Sequence, residues 1–341
     1  INFVFVIAPN SVYQNWKKEI DIHCPEDTNI YIWKVSKDKT FRMDPDKLTF
    51  VLMNVEALSH ASGKKWLESK LQKHGMRSMI ILDESTSIKN LKASRSKAII
   101  KLGQLARYKR ILTGSPITKS PLDLFSQCAF LDKRLLGYNN FTVFRSRYAV
   151  MHNIEMSGYK IQIPKYYINL EELEFKIKSF SYRVRKKDCL DLPEKMYVQR
   201  YVDMPEEQRL AYEKLKITAL MIMKDEEVSY NNKLTELLKL QQVANGFVDF
   251  KTNAKLKELM SILEESEDKC IIWANYVHNI EGIKKKLAET YGVDSVVSIY
   301  GKDSVEARNQ AVEKFQTKDE CRFLVGNPTV GGYGLTLTAA K

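Results

Sequence analysis

Met79-Ile80-Ile81-Leu82-Asp83-Glu84 is a short apolar run that stops on two adjacent carboxylates. Such a run predicts a strand buried on both faces, as in a parallel sheet covered by helices. In open α/β folds, ligands bind outside the carboxyl ends of the strands. Asp83 and Glu84 therefore stand where ligand chemistry is expected. In phosphoryl-transfer enzymes the first acid of such a pair holds magnesium, and the second orients or deprotonates the attacking water. The same residues also suit a strand that simply runs into a solvated acidic loop.

Working outward, similar runs lie at Phe3 to Ala8, Ile30 to Val35, Phe50 to Met53 and Arg110 to Leu112. Amphipathic helical patterns separate them, among them Ser11 to Ile20 and Lys64 to Lys73. Strands alternating with helices predict a doubly wound parallel sheet with helices on both faces. The alternation returns late in the chain, with strands at Cys270 to Ala274, Val296 to Tyr300 and Arg322 to Val325. Helices are expected between them at Val277 to Glu289 and Ser304 to Phe315.

The segment from Pro121 to Asn253 reads differently, being rich in Lys, Glu, Leu and Tyr and poor in strand signals. Pro205 suits the first turn of a helix running to Met223. A second helix is expected from Asn232 to Ala244, stopped by Asn245-Gly246.

Two further segments bear on chemistry. Arg110 to Ile117 runs a strand into Thr113-Gly114-Ser115-Pro116, a hydroxyl-bearing turn at the same sheet edge. Such hydroxyls can sense a phosphate, although Gly, Ser and Pro also make ordinary turns. Gly331-Gly332-Tyr333-Gly334-Leu335-Thr336-Leu337 would let backbone approach a phosphate or ribose, or form a plain flexible loop. Neither it nor Gly63-Lys64-Lys65 has the P-loop pattern, which needs Gly-Lys-Ser/Thr.

Composition narrows the classes. Lys plus Arg number 54 against 42 Asp plus Glu, a formal excess of +12 that favours polyanionic partners such as nucleic acid. No apolar run approaches the roughly 18 residues of a membrane span, so a membrane is not expected. The five cysteines and five histidines are scattered, which argues against structural zinc and for a reduced thiol set. The chain begins at Ile1 rather than Met, so the natural N-terminus is expected to precede it.

In order along the chain, these motifs resemble those of the Swi/Snf-like branch of superfamily-two DNA translocases. Val6-Ile7-Ala8-Pro9 with Asn15-Trp16-Lys17-Lys18-Glu19 resembles motif Ia, and Leu82 to Asn90, with its trailing Ile88-Lys89-Asn90, resembles motif II. Leu112 to Ile117, followed by Leu124-Phe125 and Phe130-Leu131, is similar to motif III and its helix. Arg183, Arg185 to Asp188 and Leu192-Pro193-Glu194-Lys195 resemble the basic linker, and Leu238 to Asn245 the helix segment beyond it. Lys269 to Ala274 resembles motif IV, and Val330 to Ala339 motif V.

The resemblance implies two RecA-like lobes, residues 1–131 and 254–341, with helical insertions and a linker over 132–253. It implies an ATP- and magnesium-using motor on double-stranded DNA that remodels or displaces DNA-bound structures, including bound proteins. A DNA-binding module keeping only the motor fold, or a restriction-system or RNA motor, are the alternatives. Asp83 would hold magnesium and Glu84 activate water. Thr113, Ser115 and Gly334 would couple nucleotide state to lobe position. Pro9, Ser11, Lys89, Asn90, Gly332 and Thr336 would contact DNA phosphates. The family's P-loop is expected before Ile1 and its arginine-finger motif after Lys341, so these residues alone are expected to be inactive on ATP. The setting would be cytoplasmic in a bacterium or virus-infected cell, and nuclear in a eukaryote.

Departures from the family pattern are Ser85-Thr86 for Ala/Gly-His, Gln241 for Arg, Asn327-Pro328 for Ser-Thr, and Thr336 for Asn. Trp16 and Trp273 are expected to be core residues. The Arg183 to Lys187 charge run suits either a linker or a solvated face.

Overall fold

The computed structural model describes residues 1–24, 27–35, 47–156, 159–224, 230–246, 253–331, 334, 335 and 337–340. The chain forms two compact units, Ile1–Leu192 and Pro193–Lys341. The division falls within the segment expected to carry the insertions and linker.

The first unit opens with β1 (Phe3–Ile7), α1 (Tyr13–His23), β2 (Thr28–Ile32), β3 (Leu48–Met53), α2 (Ala61–His74) and β4 (Ser78–Leu82). It continues with α3 (Ser94–Gly103), β5 (Tyr108–Ile111) and α4 (Leu124–Leu131). The strands form one parallel sheet in the order β2-β3-β1-β4-β5. Side chains alternate across a strand, so the unbroken apolar run of β1 feeds two cores. Phe3, Phe5 and Ile7 pack with Trp66, Leu67, Ile99 and Phe130, while Val4, Val6 and Ala8 pack with Val12, Tyr13 and Leu52. Burying each such large side chain stabilises the fold by about 1.5–3 kcal/mol.

After β1 the chain runs to the edge strand β2, returns through β3, and then crosses to β4 on the other side of β1. The switch in direction therefore falls between β1 and β4, where a ligand crevice is expected.

The unit is completed by α5 (Phe141–Tyr148), β6 (Ala149–Met156), β7 (Tyr159–Tyr167), α6 (Leu170–Lys178) and the short α7 (Lys186–Cys189). The Asn140 side chain caps α5 by accepting from the Val143 N–H at 3.0 Å. The antiparallel β6-β7 pair corrects the strand-poor reading of this segment. Tyr159-Lys160-Ile161-Gln162-Ile163 does alternate with period two. The ribbon is largely exposed, however, so it lacks the apolar run that marks a buried strand. The Arg183 to Lys187 run is exposed, and Arg185 within it donates to Asp188 at 2.7 Å.

Beside the ribbon, Phe125, Phe144, Tyr148 and Leu173 form a separate core. Glu172 sits at its rim, accepting from Tyr148 at 2.9 Å and pairing with Lys176 at 2.9 Å and with Arg147. The hydrogen bond from Arg147, then those from Lys176 and Tyr148, pull the Glu172 carboxyl down to about 2.

The second unit contains α8 (Glu206–Lys224), α9 (Tyr230–Ala244), α10 (Ala254–Glu264), β8 (Cys270–Trp273) and α11 (Val277–Tyr291). It ends with β9 (Val296–Ile299), α12 (Val305–Thr317), β10 (Phe323–Gly326) and the short α13 (Pro328–Gly331). Its parallel sheet has the order β8-β10-β9. Here too the central strand is split, with Phe323 and Val325 facing one core and Leu324 the other. Gln208 in α8 donates to the Val243 carbonyl of α9 at 2.7 Å, both residues being buried. Gly246, at φ +67°, ends α9 as the Asn-Gly signal predicts.

The chain thus adopts the expected α/β class, with a parallel sheet and covering helices in each unit. Among the described residues, no helix is long and apolar enough to cross a membrane.

The depressed Glu172 carboxyl makes a pH prediction. Its folded value lies near 2 and its unfolded value near an ordinary ~4.3. Its stabilisation is full above the unfolded value and is lost as pH falls through the folded one. Glu172→Gln should lower the thermal midpoint at pH 7. The difference from the parent should shrink between about pH 4.3 and pH 2, which circular-dichroism melts at stepped pH would reveal.

Candidate active site at the carboxyl edge of the first sheet

β4 delivers Asp83 and Glu84 to the edge beside the end of β1. The Asp83 N–H donates to the Ile7 carbonyl at 2.9 Å, extending the parallel ladder one residue past Leu82. The Asp83 carboxylate is held at both oxygens. Oδ1 accepts from the Glu84 N–H at 2.9 Å and Oδ2 from Trp16 Nε1 at 2.9 Å. Trp16 packs on the Val4–Val6–Tyr13 cluster, as expected of a core residue. Its polar contact with Asp83 has no sequence signal, because the two residues are 67 positions apart.

Glu84 has φ 47° and ψ 56°, the left-handed region. A residue with a Cβ is held there at a cost of about 1–3 kcal/mol, and only where its surroundings over-determine it. Two rungs flank Glu84: the Asp83 bond to Ile7, and the Ser85 N–H donating to the Leu112 carbonyl at 3.1 Å. Burial, and secondly the charge of Asp83, push the Glu84 carboxyl above its ordinary value.

Ser85 is fully buried and donates from Oγ to Gln127 Oε1 at 2.6 Å. The Gln127 amide nitrogen donates to the carbonyls of Pro116 at 2.8 Å and Asp123 at 2.9 Å. One buried side chain of α4 therefore ties the Asp83-Glu84 loop to the Thr113–Ile117 turn. Sequence reading missed Gln127. Its signal is an amide inside the apolar helix Leu124-Phe125-Ser126-Gln127-Cys128-Ala129-Phe130, where a buried polar group demands partners.

The turn closes on itself: Thr113 Oγ1 accepts from the Ser115 N–H at 3.2 Å, and Ser115 Oγ donates to the Ile117 carbonyl at 3.2 Å. Lys89 Nζ donates to Thr118 Oγ1 at 2.6 Å, joining the segment after Asp83-Glu84 to the same turn. The exposed Asn90 accepts from the Lys92 N–H at 2.9 Å. Pro9 and Ser11 are half-buried in the turn that follows β1. Eight of the expected site residues thus belong to one unit, on segments that follow β1, β4 and β5.

Gly334, at φ +65°, belongs to the second unit, while Gly332 and Thr336 lie outside the described residues. Trp273 corrects the expectation of a core residue, being 42% exposed at the end of β8. Its ring lies against Gly331 and against Gly326 at the end of β10: a Cβ on Gly331 would come within 2.2 Å of it, and one on Gly326 within 2.9 Å.

Among the described residues, no group of three His, Cys, Asp or Glu side chains could cage a metal. Magnesium does not require one, since it commonly relies on one or two carboxylates plus substrate phosphates. Each Asp83 oxygen carries one donor and keeps a second lone-pair site. The residue therefore fits that role.

A family model described as the SNF2-related domain matches residues 3–259. The chain belongs to that family. A second model, the helicase conserved C-terminal domain, matches residues 252–341. An uncharacterized ATP-dependent helicase of Mycoplasma genitalium is 27% identical over 98% of this chain and 31% of its own length. A putative ATP-dependent helicase/translocase of Bacillus subtilis is 30% identical over 98% of this chain and 36% of its own length. The human DNA annealing helicase and endonuclease ZRANB3 is 25% identical over 99% of the chain and 30% of its own. The chain thus spans about a third of the length of these relatives. A solved Sulfolobus solfataricus SWI2/SNF2 ATPase core in complex with dsDNA is 23% identical, with a TM-score of 0.44, over 96% of this chain and 67% of that one.

In this SNF2-family chain, Gln127→Leu should leave Ser85 and two carbonyls without their buried partner. The expected loss is about 1–3 kcal/mol of stability. Ser85→Ala should cost less in the Gln127→Leu background than alone, because the shared bond is already gone. Urea titrations of the four proteins would measure this coupling, and additive losses would contradict it.

Proposed function

We propose that this chain is the motor part of an ATP-dependent translocase on double-stranded DNA, one that remodels or displaces what is bound there rather than separating the strands. The observation that carries the reading is the Asp83-Glu84 pair at the carboxyl end of β4, joined through Gln127 to the Thr113–Ser115 turn. The lobes are residues 1–131 and 254–341, with insertions and linker over 132–253.

Glu84 acts as the base for hydrolysis. Water attacks the γ-phosphorus, the bond to the β,γ-bridging oxygen breaks, ADP leaves, and the proton of the attacking water passes to Glu84. A carboxyl whose proton affinity is raised by burial and a neighbouring charge is better matched to this task than a solvated one. Asp83 would hold magnesium, which supplies charge stabilisation to the transferring phosphoryl group. The chain contains no Gly-Lys-Ser/Thr, so hydrolysis belongs to the protein at its full natural length.

Thr113 and Ser115 sit one buried amide away from the Asp83-Glu84 loop, and with Gly334 they would report the phosphate state to the second lobe. Pro9, Ser11, Lys89 and Asn90, together with Gly332 and Thr336, would follow the phosphates of one strand without reading bases. The formal excess of +12 supports a polyanionic track.

Steady-state hydrolysis by the full-length protein should rise with duplex DNA, and Glu84→Gln should reduce it by about 10²–10⁴. Stimulation by RNA alone would overturn the substrate. Absence of hydrolysis with any nucleic acid would leave a DNA-binding module. Duplex affinity should fall with salt at a log-log slope of about −0.9 per phosphate contact. A salt-independent affinity in fluorescence anisotropy would contradict backbone tracking.

A further inference from the structure

We infer that Trp16 is a positioning residue for Asp83, its indole N–H fixing the orientation in which that carboxylate meets a magnesium ion; this rests on the function proposed above. Trp16 Nε1 donates to Asp83 Oδ2 at 2.9 Å from α1, while the Glu84 N–H takes Oδ1 at 2.9 Å. The terminal torsion of an aspartate is soft and roughly two-fold. With one donor on each oxygen, the carboxylate plane is set.

The choice of donor has a chemical reason. An indole offers one N–H, has no acceptor and carries no charge. It can hold a carboxylate oxygen without neutralising it and without competing for the cation. A lysine or arginine in its place would pair with the carboxylate and repel a divalent ion. The ring is anchored on the Val4–Val6–Tyr13 cluster, so the donor is fixed by packing on the sheet that carries Asp83. Burial of an indole does not by itself bring an acceptor: the buried Nε1 of Trp33 meets none among the described residues.

Groups that orient a metal-binding carboxylate typically change metal affinity or activity 10–100-fold when removed. The test uses the full-length protein carrying Glu84→Gln, in which turnover of bound ATP is slowed by about 10²–10⁴. Calorimetry gives the ATP dissociation constant in magnesium and in EDTA, and their ratio measures what the metal adds. Trp16→Phe keeps the ring and removes the N–H. It should shrink that ratio by about ten-fold, leaving the EDTA value and the thermal midpoint near those of the parent. In an Asp83→Asn background the same change should have no further effect on the ratio. In otherwise native protein, Trp16→Phe should lower kcat with little change in the KM for duplex DNA.

An unchanged ratio would overturn the inference, and so would an equal loss in the Asp83→Asn background. If Trp16→Phe does not fold, Trp16→Tyr is measured instead. If neither folds, the indole is a structural residue and the inference fails. A parent protein showing no magnesium-dependent ATP binding would instead overturn the function on which the inference rests.

Discussion

A strand that carries apolar side chains on both faces must be covered on both faces. For β1, Phe3, Phe5 and Ile7 require one layer of helices, and Val4, Val6 and Ala8 require another. α2 and α3 supply the first through Trp66, Leu67, Ile99 and Leu102, and the start of α1 supplies the second through Tyr13. With β1 in the middle, β3 and β4 pair on either side of it. Their carboxyl ends then emerge along one edge. The rung from Asp83 to Ile7 is the last consequence of that burial and the first element of the site.

The chemistry at this edge depends on rigidity obtained at some local expense. Glu84 is left-handed, a conformation that its own side chain disfavours. The chain tolerates this because a β-ladder rung precedes it and a second rung follows. Gln127 then removes slack between the acidic loop and the Thr113–Ser115 turn, since its three bonds leave the buried amide no alternative orientation. Strain at one residue and full satisfaction at another are complementary here: the first aims a carboxyl, and the second keeps its frame from relaxing.

Legibility in the sequence followed the kind of force involved. Two-sided burial writes unbroken apolar runs, so β1, β4 and β10 could be read directly, each within a residue or two of its observed bounds. Helices α8 and α9 were legible from Pro205 and Asn245-Gly246, because capping is local chemistry. The ribbon β6-β7 left only an alternation weakened by lysines and by exposure. Trp273 looked like core because it ends an apolar strand, and a strand's last residue can already lie beyond the helices that cover it. The order Asp83-Glu84 and Thr113-Gly114-Ser115 was readable, but what joins them was not. Hydrogen bonds such as Ser85 to Gln127 depend on which surfaces the fold brings together, and spacing along the chain carries no record of that.

The β6-β7 ribbon has two strands and therefore two outer edges, each with backbone groups that another extended chain could capture. Pro164 lies within β7 and has no N–H to offer, and the pairing register shifts between Val150 and Met151 beside it. Lys160 and Lys165 add charge along the same strand. A proline, an irregular register and spaced lysines are features that discourage strand-by-strand growth. The sequence that made this element hard to recognise as a strand is thus the sequence that discourages pairing along its exposed edges.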